Sequence, residues 1–270
     1  MGSERALELR GTYQVDARHI VHGPALPGLD VIRCFGFDVL EPKPIRRRKI
    51  PGGTVKIVFA LEGTFAGRAM DPTGLVIGLH DRAGSAEHFG RMRSVQLQLE
   101  PLAARRLLGV PLDEIRNIAV DLAEFFGRSV GRFTERLAES PCWSERFELV
   151  AGYLRERSAD AAIDPMIAGV VRQLRRSDGG LTIPELATEC GWSRRHFRRV
   201  FAEQVGLSPK TYGALLRFSG ALAALTAGSA VEIGALAQEF GYYDQSHMNR
   251  EFLRFAGTTP GRLLRLADSR

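Results

Sequence analysis

Two short stretches of the chain carry side chains that can read the edge of a base pair. Arg194, Arg195, Arg198 and Arg199 recur at helical spacing, and so do Gln245, Ser246, Asn249 and Arg250. A guanidinium can hold O6 and N7 of guanine with two hydrogen bonds, and a carboxamide can hold N6 and N7 of adenine. The opposite side of each stretch is apolar, with Phe197, Val200 and Phe201 in the first and Met248, Phe252 and Phe255 in the second. A helix patterned in this way buries one side and turns the other outward. Its width suits the major groove of B-form DNA. Four arginines on a helix also serve as a plain solvated face, so one such helix would decide little.

The elements that must position these residues are duplicated. Leu186-Ala187-Thr188-Glu189-Cys190-Gly191-Trp192 matches Leu236-Ala237-Gln238-Glu239-Phe240-Gly241-Tyr242 at an offset of 50 residues. Phe201, Gly206, Ser208 and Pro209 match Phe252, Gly257, Thr259 and Pro260 at an offset of 51, with the extra residue near Tyr243. A repeat of this length is two copies of one supersecondary unit. Each copy reads as a helix closed by glycine, a tight turn, and a second helix capped by Ser193 or Asp244. Thr182 and Glu185 form a capping box for the first leading helix, where the second unit has Glu232. Pro209 to Ala227 reads as one connecting helix, roughly 27 Å long. With the flanking units added, that length suits reading heads about 34 Å apart, one turn of the duplex.

Charge follows the repeat. The 270 residues hold 37 Lys+Arg against 31 Asp+Glu, a net of +6. From Met166 onward the counts are 14 and 9, so nearly all of the excess lies in the last third. A local basic excess favours a polyanionic partner, because phosphate attraction is screened within about 8 Å at physiological salt. No apolar run reaches the roughly 18 residues of a membrane span. Met1-Gly2-Ser3-Glu4-Arg5 opens without a signal-peptide core, so a cytoplasmic location is expected. Cys34, Cys142 and Cys190 are scattered and form no CxxC pair, which argues against a structural zinc or a disulfide framework.

The first part of the chain has a different period. Val31–Leu40 before Pro42 and Pro44, Thr54–Leu61, Leu75–Leu79 and Ser94–Leu99 read as short strands between Gly/Pro turns. They suggest a small antiparallel barrel or jelly roll. After Pro101 the period becomes helical at Leu112, Ile115, Ile118, Ala119, Leu122, Phe125 and Phe126. It continues through Val130, Phe133 and Leu137, then Phe147, Val150, Ala151 and Leu154. These helices either cover the sheet or pair with a second subunit. Asp164-Pro165 is a helix start. The expected organisation is therefore a β-rich sensor domain over 1–111, a helical linker or dimerisation segment over 112–163, and a DNA-binding domain over 164–270.

The C-terminal motifs resemble those of the AraC/XylS family of bacterial transcription regulators. The resemblance rests on Leu186-Ala187 to Gly191, Arg199-Val200-Phe201, Gly206-Leu207-Ser208-Pro209, the run from Gly241 to Phe252, and Gly257-Thr258-Thr259-Pro260. Tyr242 and Met248 stand where the family usually has phenylalanine. The resemblance implies an α+β protein of two domains. The N-terminal one is a cupin-like β-barrel with packed helices that senses a ligand and dimerises. The C-terminal one is an all-α pair of helix-turn-helix units. It places base contacts on Arg195, Arg198 and Arg199, and on Ser246, Asn249 and Arg250 with Gln245 beside them. It implies double-stranded DNA, RNA polymerase and a second copy as partners, and no membrane. His247 belongs to the motif in a buried or capping role.

Other chemistry has less support. His19, His22, His80, Asp81 and His88 are the candidate metal ligands, but no H-x-H pattern followed by a carboxylate joins them, and neither metal nor cofactor is expected. Nucleophile elbow, P-loop and dinucleotide fingerprint are all missing. The alternative function is a metal-dependent enzyme with a cupin-like catalytic domain and a DNA-localising tail. Phe35, Phe37, Phe59 and Phe65 are candidates to line an effector pocket, and core packing explains them equally well. Arg46-Arg47-Arg48-Lys49 suits DNA, a partner or plain solvation.

Overall fold

In the computed structural model the described residues are 20–65, 68–69, 73–159, 161–181, 186, 191–227 and 232–268. The side chains of residues 64, 65, 68, 69 and 266–268 are outside the description. The strands are β1 (Ile20–His22), β2 (Val31–Lys49), β3 (Val55–Glu62), β4 (Thr64–Phe65), β5 (Arg68–Ala69), β6 (Gly74–Ile77), β7 (Gly84–Leu99) and β8 (Ala119–Asp121). The helices are α1 (Pro101–Leu108), α2 (Ala123–Phe126), α3 (Ser129–Glu139), α4 (Trp143–Glu156) and α5 (Pro165–Arg176). Then come α6 (Arg194–Val205), α7 (Pro209–Thr226), α8 (Ile233–Glu239), α9 (Gln245–Ala256) and α10 (Pro260–Asp268).

Six strands form one antiparallel sheet in the order β1-β2-β7-β3-β6-β8, and β4 and β5 form a separate pair. The sheet is open. The expected closed barrel does not form, because β1 and β8 stand at opposite edges and are three residues each. Period-2 burial makes the strands what they are. Val95, Leu97 and Leu99 turn to the main core, while Ser94, Gln96 and Gln98 turn to the other face. The Gln96 amide donates to the Ser94 hydroxyl there at 3.1 Å.

Two strands run longer than their apolar pattern. β2 continues through Pro42 and Pro44 to Lys49, and β7 begins at Gly84 instead of Ser94. Proline cannot donate to a ladder, and the pairing of β2 with β7 shifts register between Glu41 and Ile45, where both prolines sit. A second correction concerns residues 112–121. The helical period there is spurious: Leu112 to Asn117 form turns and Ala119–Asp121 pair with Leu75–Ile77 as β8. Leu112 and Ile115 are buried as that period required, but through turns that face the core.

Helices α3 and α4 form a hairpin over the sheet. Phe59, fully buried on β3, meets Phe133 and Tyr153 edge-on at 5.6 and 6.1 Å. Phe133 and Tyr153 stack at 3.9 Å. Gly36 allows the start of α4 to reach β2, since a Cβ there would lie 2.3 Å from the Trp143 ring. The C-terminal helices share one apolar cluster with this assembly. Polar contacts cross between the two parts. Leu112 N–H donates to the Glu203 carbonyl at 2.8 Å, Ala83 N–H to the Arg254 carbonyl at 2.8 Å, and Arg254 pairs with Asp81 at 3.1 Å.

Candidate nucleic-acid interface

The two reading helices, α6 and α9, are built alike. Each has 12 residues. Ser193 Oγ accepts the His196 N–H at 3.3 Å, and Asp244 Oδ1 accepts the His247 N–H at 2.6 Å. These caps satisfy first-turn donors that would otherwise have no partner inside the helix. Both helices end on a left-handed glycine, Gly206 at φ 88 and Gly257 at φ 64. A side chain at either position would strain that turn.

Burial divides each helix into two sides. Phe197, Phe201, Gln204 and Val205 of α6 are buried, as are Met248, Phe252, Phe255 and Ala256 of α9. Arg194, Arg195, Arg198 and Arg199 are exposed, and so are Gln245, Ser246 and Arg250, while Asn249 is half-buried. Arg199 meets Glu203 at 3.2 Å on the same helix. That pair is solvent-facing, so its worth is a few tenths of a kcal/mol, about 0.3–0.5, and it yields readily to a phosphate or a base.

The connecting helix α7 has 18 residues and is capped by Ser208, whose hydroxyl accepts the Thr211 N–H at 3.2 Å. Tyr212 on it meets Phe201 of α6 at 6.0 Å. Phe218 on it meets Phe252 and Phe255 of α9 at 4.9 and 5.2 Å. One rod thus seats both reading helices by aromatic contact. Burial pushes the Tyr212 phenol up to about 12. The capping box at Thr182 and Glu185, and the first repeat segment from Ala187 to Cys190, lie outside the described residues.

His247 does not read outward. It is half-buried, its Nε2 lies 3.5 Å from Glu251, and its ring meets Tyr242 at 5.4 Å. Arg217 of α7 approaches the same Glu251 at 3.6 Å and covers the Tyr242 ring at 5.3 Å. This network fixes the turn before α9. Tyr243, the extra residue of that turn, is 93% exposed. In the sequence it is only the residue inserted in the second repeat, yet in the structure it is a bare aromatic at the head of a reading helix.

The other candidates are dispersed. Phe35, Phe37 and Phe59 are all buried, with Phe59 in the main core and Phe37 in a separate cluster with Val39, Ala86 and Met92. Arg33 covers Phe35 at 5.2 Å. The Phe65 side chain lies outside the description. His22 is exposed at a sheet edge, and His80 Nδ1 lies 2.9 Å from the Gly78 carbonyl. Asp81 is paired with Arg254, and His88 is buried 2.9 Å from the Met92 sulfur. His19 lies outside the described residues, and among those described no three metal-ligating side chains come together. Burial and the neighbouring Lys49 push Lys56 down to about 7, and both lysines also act on His80. In the basic run, Arg46 donates to Ser85 and Arg47 pairs with Glu41.

Comparison with known proteins gives this geometry a class. Residues 171–266 match the family model of a helix-turn-helix domain. The C-terminal third is therefore a helix-turn-helix domain of the AraC type that its motifs resemble. Over 98 residues the chain is 35% identical to the HTH-type transcriptional regulator Rv1931c of Mycobacterium tuberculosis. That match covers 36% of this chain and 37% of the relative, so it spans well under half of the regulator's length. Solved structures of ToxT from Vibrio cholerae also superimpose. One gives a TM-score of 0.49 at 11% identity over 86% of this chain and 97% of that one. A form bound to unsaturated fatty acid gives 0.46 at 12%, over 86% and 94%.

Proposed function

We propose that the protein is a sequence-specific DNA-binding transcription regulator of the cytoplasm. The observation that carries this reading is the pair of identically capped helices, each exposing arginine or carboxamide side chains on a basic helix-turn-helix domain. Lysine and arginine draw the domain to phosphates, helix N-termini fix its register, and the exposed side chains read base edges in two grooves. Residues 164–270 serve as the DNA-binding domain, 1–111 as a sensor for a small-molecule effector, and 112–163 as the segment through which two copies associate. RNA polymerase is the machinery on which the bound dimer acts.

Control of DNA binding follows from the contacts between the two parts. Asp81 and Ala83 hold the last turn of α9, and Leu112 holds the end of α6. An effector that binds one arrangement of these contacts better than another shifts the reading heads between states.

Selection of DNA from a random library is the direct test, followed by gel-shift titration on the enriched site. Arg199→Ala and Arg250→Ala are each expected to lower specific affinity by roughly 1–3 kcal/mol. Unchanged specific binding in both would remove these residues as readers. A library that yields no enriched sequence would overturn the function.

A further inference from the structure

A basic run, Arg46-Arg47-Arg48-Lys49, closes β2 in the β-rich part of the chain. It pairs with Gly84–Glu87 at the start of β7, and strand alternation divides it. Arg47 turns inward, is 5% exposed and pairs with Glu41. Arg46 and Arg48 share the other face: Arg46 Nε donates at 3.0 Å to the hydroxyl of Ser85, the residue opposite Arg48. Arg46 is exposed and Arg48 half-buried. Arg82 is exposed on the turn that leads into β7. Among the described residues neither Arg48 nor Arg82 meets a carboxylate. Glu87 stands opposite Arg46, and Asp81 is taken up by Arg254, so this end of the ribbon stays net positive.

That end is packed on the last turn of α9. Ala83 N–H donates to the Arg254 carbonyl at 2.8 Å, and Arg254 pairs with Asp81. A Cβ on Gly257 would lie 3.4 Å from the Ala83 Cβ and 4.0 Å from Arg48 Nε. The outward stripe of α9 runs from Ser246 through Asn249 and Arg250 to Leu253, which is 52% exposed, and Gly257 follows one turn later. Gly257 is seven residues beyond Arg250, about 10 Å along a helix axis. A reading helix puts its N-terminal residues on the base edges. Its far end then lies toward the rim of a groove about 12 Å wide, where the phosphates run. We infer that Arg46, Arg48 and Arg82 are phosphate contacts, by which the β-rich part grips the duplex beside the second reading helix. The inference rests on the proposed DNA binding and adds a third element to the two reading helices. An acidic ribbon held at this spot would repel the duplex, whereas a basic one adds to its attraction. Guanidinium groups suit the task, since their planar fork matches a phosphate. Such contacts hold the duplex and fix its register without reading sequence.

The test uses the full chain with two duplexes of equal length, one carrying the site enriched from a random library and one of random sequence. Affinity is titrated between about 0.05 and 0.2 M salt. Arg46→Gln with Arg48→Gln, and separately Arg82→Gln, are expected to weaken binding to both duplexes by the same factor. That factor is roughly five- to tenfold for each side chain near 0.1 M salt, and the salt slope is expected to fall by about 1 for each. Arg46→Lys with Arg48→Lys keeps the charge and is expected to keep the wild-type slope. Thermal melts run beside the titrations, and Arg82→Gln, on an exposed turn, gives the same reading should the paired change destabilise β2. Unchanged slopes in both Gln variants overturn the inference. Tighter binding overturns it as well, because the ribbon would then be a shield over α9. A loss confined to the enriched site also overturns it, because these residues would then be base readers. A wild type that enriches no sequence and binds neither duplex removes DNA binding itself. A wild type that binds while the Gln variants keep its slope removes only this contact.

Discussion

At the scale of single residues, what distinguishes the reading helices is what their side chains do not do. Arg194, Arg195 and Arg198 are exposed and reach no carboxylate among the described residues, and Arg199 is held only by an i,i+4 pair with Glu203. His247 has the right neighbourhood for a reader but is committed to Glu251 and Tyr242. Tyr243 is the reverse case, an aromatic at 93% exposure with no packing to lose. Tyr243→Ala is thus expected to leave stability within about 0.5 kcal/mol in thermal melts. On the proposed reading it is also expected to weaken DNA binding by roughly 0.5–1.5 kcal/mol, the worth of one hydrogen bond, in a gel-shift titration. Equal affinities would place Tyr243 outside the interface.

At the scale of elements, helix caps and the long β2–β7 pair carry the testable energetics. Asp244 is the side-chain cap of α9, and Asp244→Ala is expected to cost about 1 kcal/mol in denaturant unfolding. Within β2 and β7, His88 is 1% exposed, and burial together with the nearby Arg47 pushes its pKa down from 6.5 to about 4. The unfolded chain then binds more protons than the folded one between those values. Stability is therefore expected to fall as pH drops from 6.5 towards 4, by up to roughly 3 kcal/mol from this residue alone. Urea midpoints measured across that window should show the loss, and His88→Met should flatten the slope. A His88→Met protein with the wild-type slope would assign the acid sensitivity to other groups.

At the scale of the molecule, the sheet, the hairpin and the helix-turn-helix domain are packed on one apolar cluster. The contacts of Ala83 and Asp81 with Arg254, and of Leu112 with Glu203, attach the β-rich part to the far end of each reading helix. Both reading helices also rest on α7.

The amino-acid sequence by itself determined the reading helices. Their caps, terminal glycines and two-sided polarity are local, and a duplicated unit states each of them twice. It also determined the alternation of Val95, Leu97 and Leu99, because a strand's two faces follow from the period of its own side chains. Only the tertiary structure decided the rest. Whether the sheet closes depends on which strands stand at its edges, and residues 112–121 satisfy a helical period while folding as turns and β8, because pairing with β6 outweighs their local pattern. The packing of Phe59 against Phe133 and Tyr153 depends on a strand and two helices, distant in the chain, meeting at one place.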